Sequence, residues 1–131
     1  MHNAEGLSDK YQNAISALAN EAVREKYFQL LKKWTHNIPA LIRHNAQVDS
    51  ATTYYEDVII GAGTALSANS VVGVGGVIES DVIVEDGTFV DRFSNIGANS
   101  VIKAGVIMST HSVVESGSRV KKSENPTANA F

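Results

Sequence analysis

The feature that most constrains the fold is an aliphatic residue at every sixth position from Ile60 to Val120. Such regularity marks an internal repeat with one deeply inward position in each six-residue unit. Eleven successive positions follow the rule without exception, namely Ile60, Leu66, Val72, Ile78, Val84, Val90, Ile96, Ile102, Met108, Val114 and Val120.

Each repeat unit also contains a polar corner. The residue after the corner position is small or β-branched, from Thr64 to Ser118. The corner position itself carries residue types that tolerate a positive φ. Each unit is therefore interpreted as a short strand followed by a tight corner. The corner residues of these types, three positions after the aliphatic, are Gly63, Asn69, Gly75, Asp81, Gly87, Asn99, Gly105 and Gly117.

A period of six with one inward position predicts a parallel β-helix of hexapeptide repeats, so the fold class is mainly β. Three units close a triangular coil of about 18 residues, and coils stack about 4.8 Å apart. We predict this β-helix over residues 41–120. Handedness does not follow from the period, but hexapeptide repeats are known in the left-handed form, and we expect a left-handed β-helix.

The two ends of the chain have different patterns. Residues 1–40 are expected to form an N-terminal helical segment, with apolar residues at helical spacing between Ser8 and Trp34. Three interpretations stay open: one helix, two helices, or a short strand over residues 13–20 followed by a helix capped by Asn20. Pro39 ends any helix. Residues 121–131 are expected to be a polar tail.

Composition excludes several classes of function. Eleven basic and fourteen acidic residues leave no cationic surface for nucleic acid. The chain has no cysteine, which excludes disulfides and zinc-thiolate sites. No segment has the length and apolarity of a signal peptide or a membrane span. We therefore expect a cytoplasmic protein that neither binds nucleic acid nor inserts into a membrane.

The residues just before the inward aliphatics should point outward, yet most of them are apolar too. They include Ile59, Val71, Ile83, Phe89 and Ile107, and Asn95 interrupts the series. Such a surface is too extensive to leave in water on so small a prism. We expect a homotrimer with parallel axes, because each subunit offers two different faces and a three-fold rotation closes the ring.

Two stretches resemble the hexapeptide-repeat acyltransferases, in particular the branch of sugar O- and N-acyltransferases that includes sialic-acid O-acetyltransferases and amino-sugar N-acetyltransferases. The first is "AISALANEAVREKYFQLLKKWTHNIPALIRHNAQVDS", which resembles the junction that leads into the β-helix of that family. The second is "VVGVGGVIESDVIVEDGTFVDRFSNIGANSVIKAGVIMSTHSVVESGSRV", which resembles the central coils. The similarity covers residues 14–120.

This resemblance implies the transfer of an acetyl group from acetyl-CoA to a hydroxyl or amine of a sugar, in a trimer with sites between subunits. The chemistry needs a base, oxyanion donors and a groove for the pantetheine arm. In the family a histidine follows an aliphatic-Glu pair. The matching segments "VIESD" and "VVESG" keep Glu79 and Glu115 but carry Ser80 and Ser116 in place of histidine, and a serine hydroxyl is no base near neutral pH. Most of the family's N-terminal sugar-nucleotide-binding domain has no counterpart.

His111 is then the remaining candidate for the catalytic base. Among the corner positions from Gly63 to Gly117, only Phe93 and His111 are not Gly, Asn or Asp. Their separation of eighteen residues stacks them on one edge of the prism, above Gly75. Two exceptions at one place suggest a catalytic or ligand-binding site. The alternative is an exposed histidine that stacks on a phenylalanine and only stabilises the edge.

Several other polar residues have two open interpretations. Glu79 and Glu115 share one column and are either an acid/base pair or solvated surface charges. Asn95 donates a hydrogen bond either to a ligand or across a subunit interface. Together with Phe93, Ser80 and Ser116, Asn95 is a candidate for binding acetyl-CoA or the sugar. No metal is expected, because the repeat supplies one histidine per chain.

Two functions therefore stay open at this level. One is an acetyl-CoA-dependent acetyltransferase that acts on a hydroxyl or amine of a sugar or nucleotide sugar, with His111, Glu79 and Glu115 as catalytic candidates. The other is a non-catalytic trimeric scaffold or partner-binding module descended from such an enzyme.

Overall fold

The computed structural model describes residues 21–35 and 37–122. Ser8, the alternative strand over residues 13–20 and the tail from residue 123 lie outside the described residues. Within these described residues, one helix, α1 (Glu21–Lys32), precedes fourteen two-residue strands. In chain order these are β1 (Leu41–Ile42), β2 (Gln47–Val48), β3 (Thr53–Tyr54), β4 (Ile59–Ile60), β5 (Ala65–Leu66), β6 (Val71–Val72), β7 (Val77–Ile78), β8 (Ile83–Val84), β9 (Phe89–Val90), β10 (Asn95–Ile96), β11 (Val101–Ile102), β12 (Ile107–Met108), β13 (Val113–Val114) and β14 (Arg119–Val120).

Every strand from β1 to β11 pairs in parallel with the strand three places further along the chain, so that Ile60 lies opposite Ile78. The pairing makes three sheets, which are the faces of a triangular prism. Face A contains β1, β4, β7, β10 and β13, face B contains β2, β5, β8, β11 and β14, and face C contains β3, β6, β9 and β12. The mainly β, parallel β-helix predicted from the period of six is confirmed.

The strands wind into successive coils of eighteen residues. Coil 1 covers residues 41–58, coil 2 covers 59–76, coil 3 covers 77–94, and coil 4 covers 95–112. The chain then begins a fifth coil at residue 113. Because coils are stacked by backbone hydrogen bonds, neighbouring coils are about 4.8 Å apart along the axis.

The aliphatic residues of the repeat fill the inside of the prism. From Ile60 to Met108 all nine are at most 2% exposed, and Val114 and Val120 at the C-terminal end are 3% and 8% exposed. Each fully buried side chain of this size contributes roughly 1.5–3 kcal/mol relative to an exposed one. The three stacked columns are therefore the main source of stability.

The corners of the prism adopt the left-handed conformation that the sequence predicts. Twelve corner residues between Asn45 and Gly117 have φ between 54° and 76°. Ten of the twelve are Gly, Asn or Asp, which accept this conformation at little cost. Phe93 (φ 54°) and His111 (φ 62°) are the two exceptions, and both lie on the same edge.

The outward positions of the strands differ from the prediction on one face. Ile83 and Ile107, on faces B and C, are 47% and 64% exposed, as expected for outward side chains. On face A, Ile59 and Val77 are instead only 6% and 5% exposed, and they form a second apolar cluster with Leu41. The outward apolar residues of face A are therefore buried in coils 2 and 3, whereas Val113 at the end of that face is 48% exposed, like Ile83 on face B.

The neighbouring residues Val113 and Val114 test which side of a strand faces the core. Val114 is 3% exposed and Val113 is 48% exposed. Val114→Ala removes buried carbons and leaves a cavity, so we expect the free energy of unfolding to fall by about 2 kcal/mol. Val113→Ala, the matched control, should cost less than about 0.5 kcal/mol. Urea-induced unfolding measures both, and equal losses would contradict the assignment.

Candidate functional site

The edge where face C meets face A carries the candidate site, and we call it the CA edge. Its corner residues are Asp57, Gly75, Phe93 and His111, one at the end of each of coils 1 to 4. The 18-residue register stacks these four corners in one column. Helix α1 packs along this column.

The contacts of α1 show the direction in which it runs. Glu25 contacts His111 in coil 4, Phe28 contacts Phe93 in coil 3, and Lys32 contacts Glu56 in coil 1. These three contacts descend from coil 4 to coil 1 along α1, and the long side chain of Arg24 reaches Gly75 in coil 2 and Asp57 in coil 1. The chain then enters coil 1 after Pro39.

An aromatic stack forms the centre of the CA edge. Phe93 is 3% exposed, and its ring meets Phe28 edge-on with centroids 5.6 Å apart. The imidazole of His111 stacks on the other side of Phe93, at 5.9 Å and an interplanar angle of 19°. Gly75 makes room below, because a Cβ there would overlap the Phe93 ring. Contacts on the Phe93 ring thus hold the His111 ring in one orientation.

A carboxylate from the helix pairs with the histidine. Nε2 of His111 lies 2.8 Å from Oε1 of Glu25, and the two side chains are 40% and 33% exposed. A neutral imidazole in this contact carries its proton on Nε2 and donates it to the carboxylate. Nδ1 then keeps its lone pair and can accept a proton. This arrangement of a histidine and an orienting carboxylate is the one that general-base catalysis uses.

Below the aromatic stack, α1 is joined to the edge by a buried charged pair. Arg24 is 2% exposed, donates from Nη1 to the carbonyl of Gly75, and places Nη2 3.7 Å from Oδ2 of Asp57. Neither carboxylate oxygen of Asp57 has a hydrogen-bond partner among the described residues. Burial raises the pKa of Asp57 to about 6, although the Arg24 charge opposes the shift.

A second ion pair joins the end of α1 to coil 1. Nζ of Lys32 lies 3.1 and 3.0 Å from the two carboxylate oxygens of Glu56, and Oε2 of Glu56 also accepts the Ile38 N–H at 2.9 Å. Burial alone would raise the pKa of Glu56, but the hydrogen bonds from Ile38 and Lys32 hold it below its usual range. Glu56 thus anchors both the helix and the segment that follows it.

The other predicted site residues lie elsewhere on the prism. Asn95, on face A, donates from Nδ2 to Oε2 of Glu79 at 3.0 Å, so its side chain is engaged within the chain. Ser80, Glu115 and Ser116 are exposed at the edge where face A meets face B, whereas His111 lies at the edge where face C meets face A. The structure thus brings Phe93 together with His111, and Asn95 together with Glu79, in two separate groups.

Glu79 and Glu115 lie in one column of face A, with Gly97 between them. Gly97 has no room for a side chain, because a Cβ would lie 2.5 Å from the backbone nitrogen of Ser116. The two glutamates are therefore two coils apart, about 10 Å along the axis. At that separation a direct acid/base pair would need a ligand between the two carboxylates.

Sequence reasoning missed Glu25, Arg24 and Asp57. Glu25 and Arg24 are ordinary members of a charged helix, and nothing in the pattern says which edge the helix covers. Asp57 gave a partial signal, because it is an acidic corner directly before the apolar run "VII". Its burial depends on α1, which the repeat does not predict.

Among residues 21–35 and 37–122, no three histidine, aspartate or glutamate side chains are placed to hold a metal ion together. In that same part of the chain, α1 falls short of the length and apolarity that crossing a bilayer requires.

Known proteins resemble the chain in structure only. No family model and no curated protein matches it. A mutant of GDP-perosamine N-acetyl transferase from Caulobacter crescentus, solved with CoA and GDP-perosamine, is 16% identical with a TM-score of 0.45, over 81% of this chain and 64% of that one. The acetyltransferase domain of PglB from Neisseria gonorrhoeae is 25% identical with a TM-score of 0.39, over 80% of this chain and 57% of that one.

A hexapeptide transferase family protein from Anaplasma phagocytophilum is 19% identical with a TM-score of 0.26, over 65% of this chain and 71% of that one. The chain thus spans less than two thirds of the length of the perosamine and PglB proteins.

The raised pKa of Asp57 predicts a specific dependence of stability on pH. Because this pKa is about 6 in the folded chain and 3.8 for an unperturbed aspartate, folding takes up a proton between these limits. The contribution of Asp57 to the free energy of unfolding is therefore largest at acid pH and is lost as pH rises through 6. Between pH 5 and pH 7 the loss should be about 1 kcal/mol.

Asp57→Asn is the matched variant, because it keeps a side chain that accepts a positive φ but cannot titrate. Urea unfolding of both proteins at pH 5 and pH 7 isolates the contribution of Asp57 as the difference between them. An identical pH dependence in the two proteins would show that Asp57 is not buried as described.

Proposed function

We propose that this chain is an acetyl-CoA-dependent acetyltransferase that modifies a hydroxyl or amine of a sugar or nucleotide sugar. The carrying observation is the contact between Nε2 of His111 and Oε1 of Glu25. It supplies an oriented imidazole in a chain that carries Ser80 and Ser116 where the resemblance implies histidine, and it supports His111 as the candidate base. A cytoplasmic location is part of the proposal and is compatible with a chain that has no cysteine.

In the proposed reaction, Nδ1 of His111 accepts the proton of the acceptor hydroxyl or amine. The freed oxygen or nitrogen forms a bond to the thioester carbonyl carbon of acetyl-CoA. The tetrahedral intermediate then collapses, the carbon–sulfur bond breaks, and the departing CoA sulfur takes the proton from the imidazolium. Glu25 stabilises the imidazolium while the proton is held there.

The surroundings of His111 favour this role over that of a freely rotating surface histidine. Phe93 stacks on the ring, and Phe28 packs against Phe93 in turn. Because the Phe93 stack and the Glu25 contact both act on the His111 ring, Nδ1 is held in a defined direction. An oriented base loses less entropy on the way to the transition state than a mobile one.

The proposed active form is a homotrimer. Faces B and C carry exposed apolar side chains, Ile83 at 47% and Ile107 at 64% exposure, whereas the apolar residues Ile59 and Val77 of face A are already buried. Two different adjacent faces make a head-to-tail contact that closes after three copies. The CA edge borders face C, so the His111 site would lie beside a neighbouring subunit. Asn95, Ser80 and Ser116 remain predicted ligand-binding residues on face A.

A trimeric scaffold without catalysis is the second candidate. Ser80 and Ser116 occupy the positions where the resemblance places histidine, and this observation favours it. Acetyl-CoA separates the two functions, because a ligand that binds only the folded state raises the melting temperature. At a concentration 100 times its Kd the gain is about 2.7 kcal/mol. No shift at millimolar acetyl-CoA would support the scaffold.

His111→Ala tests the base directly. Loss of a general base typically costs about 100-fold or more in rate, so acetyl transfer from acetyl-CoA to a panel of amino sugars and nucleotide sugars, followed by mass spectrometry, should fall by that factor. His44→Ala, which removes an exposed histidine of coil 1, is the matched control and should keep full activity. Unchanged turnover in His111→Ala would contradict the proposed base.

Glu25→Gln tests the orienting carboxylate in the same assay. We expect kcat to fall about tenfold or more with little change in KM, because glutamine keeps the size of the side chain but cannot stabilise the imidazolium. A variant with unchanged kcat would show that Glu25 only helps to dock α1.

A further inference from the structure

The side chain of Asp57 lies where α1 meets the prism. Asp57 is fully buried, and neither of its carboxylate oxygens accepts a hydrogen bond from a described residue. The cation that faces it is Arg24 of α1, whose Nη2 is 3.7 Å from Oδ2 and thus beyond normal hydrogen-bond distance. An ionised carboxylate here has lost its hydration in exchange for one long contact. The negative charge of Asp57 therefore opposes docking of α1.

The charged groups around Asp57 come from α1 and from coil 1. Arg24 of α1 favours the ionised form, and the neighbouring carboxylate of Glu56 disfavours it. Lys32 of α1 pairs with Glu56 at 3.0 Å, so it faces Glu56 rather than Asp57. The two other backbone segments hydrogen-bonded to this corner carry no charged side chain, namely residues 37–40 and 73–76.

The balance of these effects links docking of α1 to a proton. Burial raises the pKa of Asp57 to about 6, although the Arg24 charge opposes the shift. Helix α1 covers this corner, so release of the helix returns the carboxyl to water and to its ordinary pKa of 3.8. Docking therefore takes up a proton between these two values, which favours docking at acid pH, and the gain is lost as pH rises through 6. The docking constant should fall about tenfold between pH 5 and pH 7.

Adjacent residues of α1 connect Asp57 to the candidate base. Arg24 faces Asp57, and the next residue, Glu25, lies 2.8 Å from Nε2 of His111. Because both belong to one helical turn, α1 cannot withdraw Arg24 without also withdrawing Glu25. Two corners of the CA edge that are three coils apart are thus linked through a single turn of helix.

Helix α1 depends on the prism for its own stability. It has 12 residues, and an isolated helix of this length is marginal in water. The contact of Phe28 with Phe93 holds it at every pH, because neither ring titrates. The contacts of Arg24 and Glu25, in contrast, change with the protonation of their partners. Release of α1 is then a local opening, which costs less free energy than unfolding of the prism.

We infer that α1 is a proton-linked strap: a proton on Asp57 holds the helix on the CA edge with Glu25 against His111, and loss of that proton favours release of the helix. At acid pH the strap is closed and the imidazole is oriented. At higher pH a growing fraction of molecules carries His111 without its carboxylate partner. The inference goes beyond the proposed function, because it concerns when the His111 ring is held and not what the ring reacts with.

Hydrogen exchange of the backbone amides measures release of α1 without any substrate. Local opening lowers the protection factor of the α1 amides, whereas the amides of coils 2 and 3 report on global unfolding. Between pH 5 and pH 7, the protection factor of α1, corrected for intrinsic exchange, should fall about tenfold more in the wild type than in Asp57→Asn. That variant is the matched control, because asparagine accepts the positive φ but cannot titrate.

Three results of this experiment would overturn the strap. One is an equal pH dependence of α1 protection in the wild type and in Asp57→Asn. Another is a fall in protection that the amides of coils 2 and 3 share equally, because the proton would then be linked to global unfolding. The third is an α1 without protection at pH 5. Loss of acetyl transfer has no bearing on these results, so the strap and the proposed chemistry are tested separately.

Arg24→Met provides a second measurement, in which the midpoint of the α1 transition moves. Because the Arg24 charge opposes the raised pKa of Asp57, its removal should shift the midpoint to higher pH. Lys26→Met removes an exposed cation of the same helix, is the matched control, and should leave the midpoint unchanged. A midpoint that stays in place or moves to lower pH in Arg24→Met would contradict the role of Asp57.

Discussion

Parallel pairing between residues eighteen positions apart is the constraint on which the rest of the structure depends. It stacks the buried aliphatic residues into columns, and it stacks the corners of the prism in the same way. Because of this register, His111 stands one coil above Phe93, and Phe93 one coil above Gly75. A residue in this fold therefore has its main stacked neighbours eighteen positions before and after it. The CA edge is one such column, and two of its corner residues, Phe93 and His111, are of unusual types.

Helix α1 turns that column into a candidate active site. Glu25 contacts His111, Phe28 contacts Phe93 and Arg24 pairs with Asp57, so each of these three corner residues has a partner on the helix. Burial of the charged pair has a cost that the other contacts must offset, since charged groups lose hydration when they leave water. A costly buried pair on the same edge as an oriented histidine is consistent with a helix that is kept in place for function as well as for stability.

The sequence predicted the prism, its three interior columns and its left-handed corners because each depends only on the local period of six. It also identified Phe93 and His111, since both break the corner rule at one place. It did not predict Glu25 or the burial of Asp57, because these depend on where a helix docks, and docking is set by surface shape rather than by period. The structure also buries Ile59 and Val77, which the pattern placed on the outside of the prism, in a cluster with Leu41.

The central claim is that α1 and the corner column together fix the His111 ring with Nε2 toward Glu25. The ¹⁵N chemical shifts of the His111 ring nitrogens, recorded by NMR near neutral pH in the wild type and in Glu25→Gln, test it most directly. The account predicts a protonated Nε2 and an unprotonated Nδ1 in the wild type, with a changed tautomer balance in the variant. A protonated Nδ1, or spectra that the substitution leaves unchanged, would contradict it.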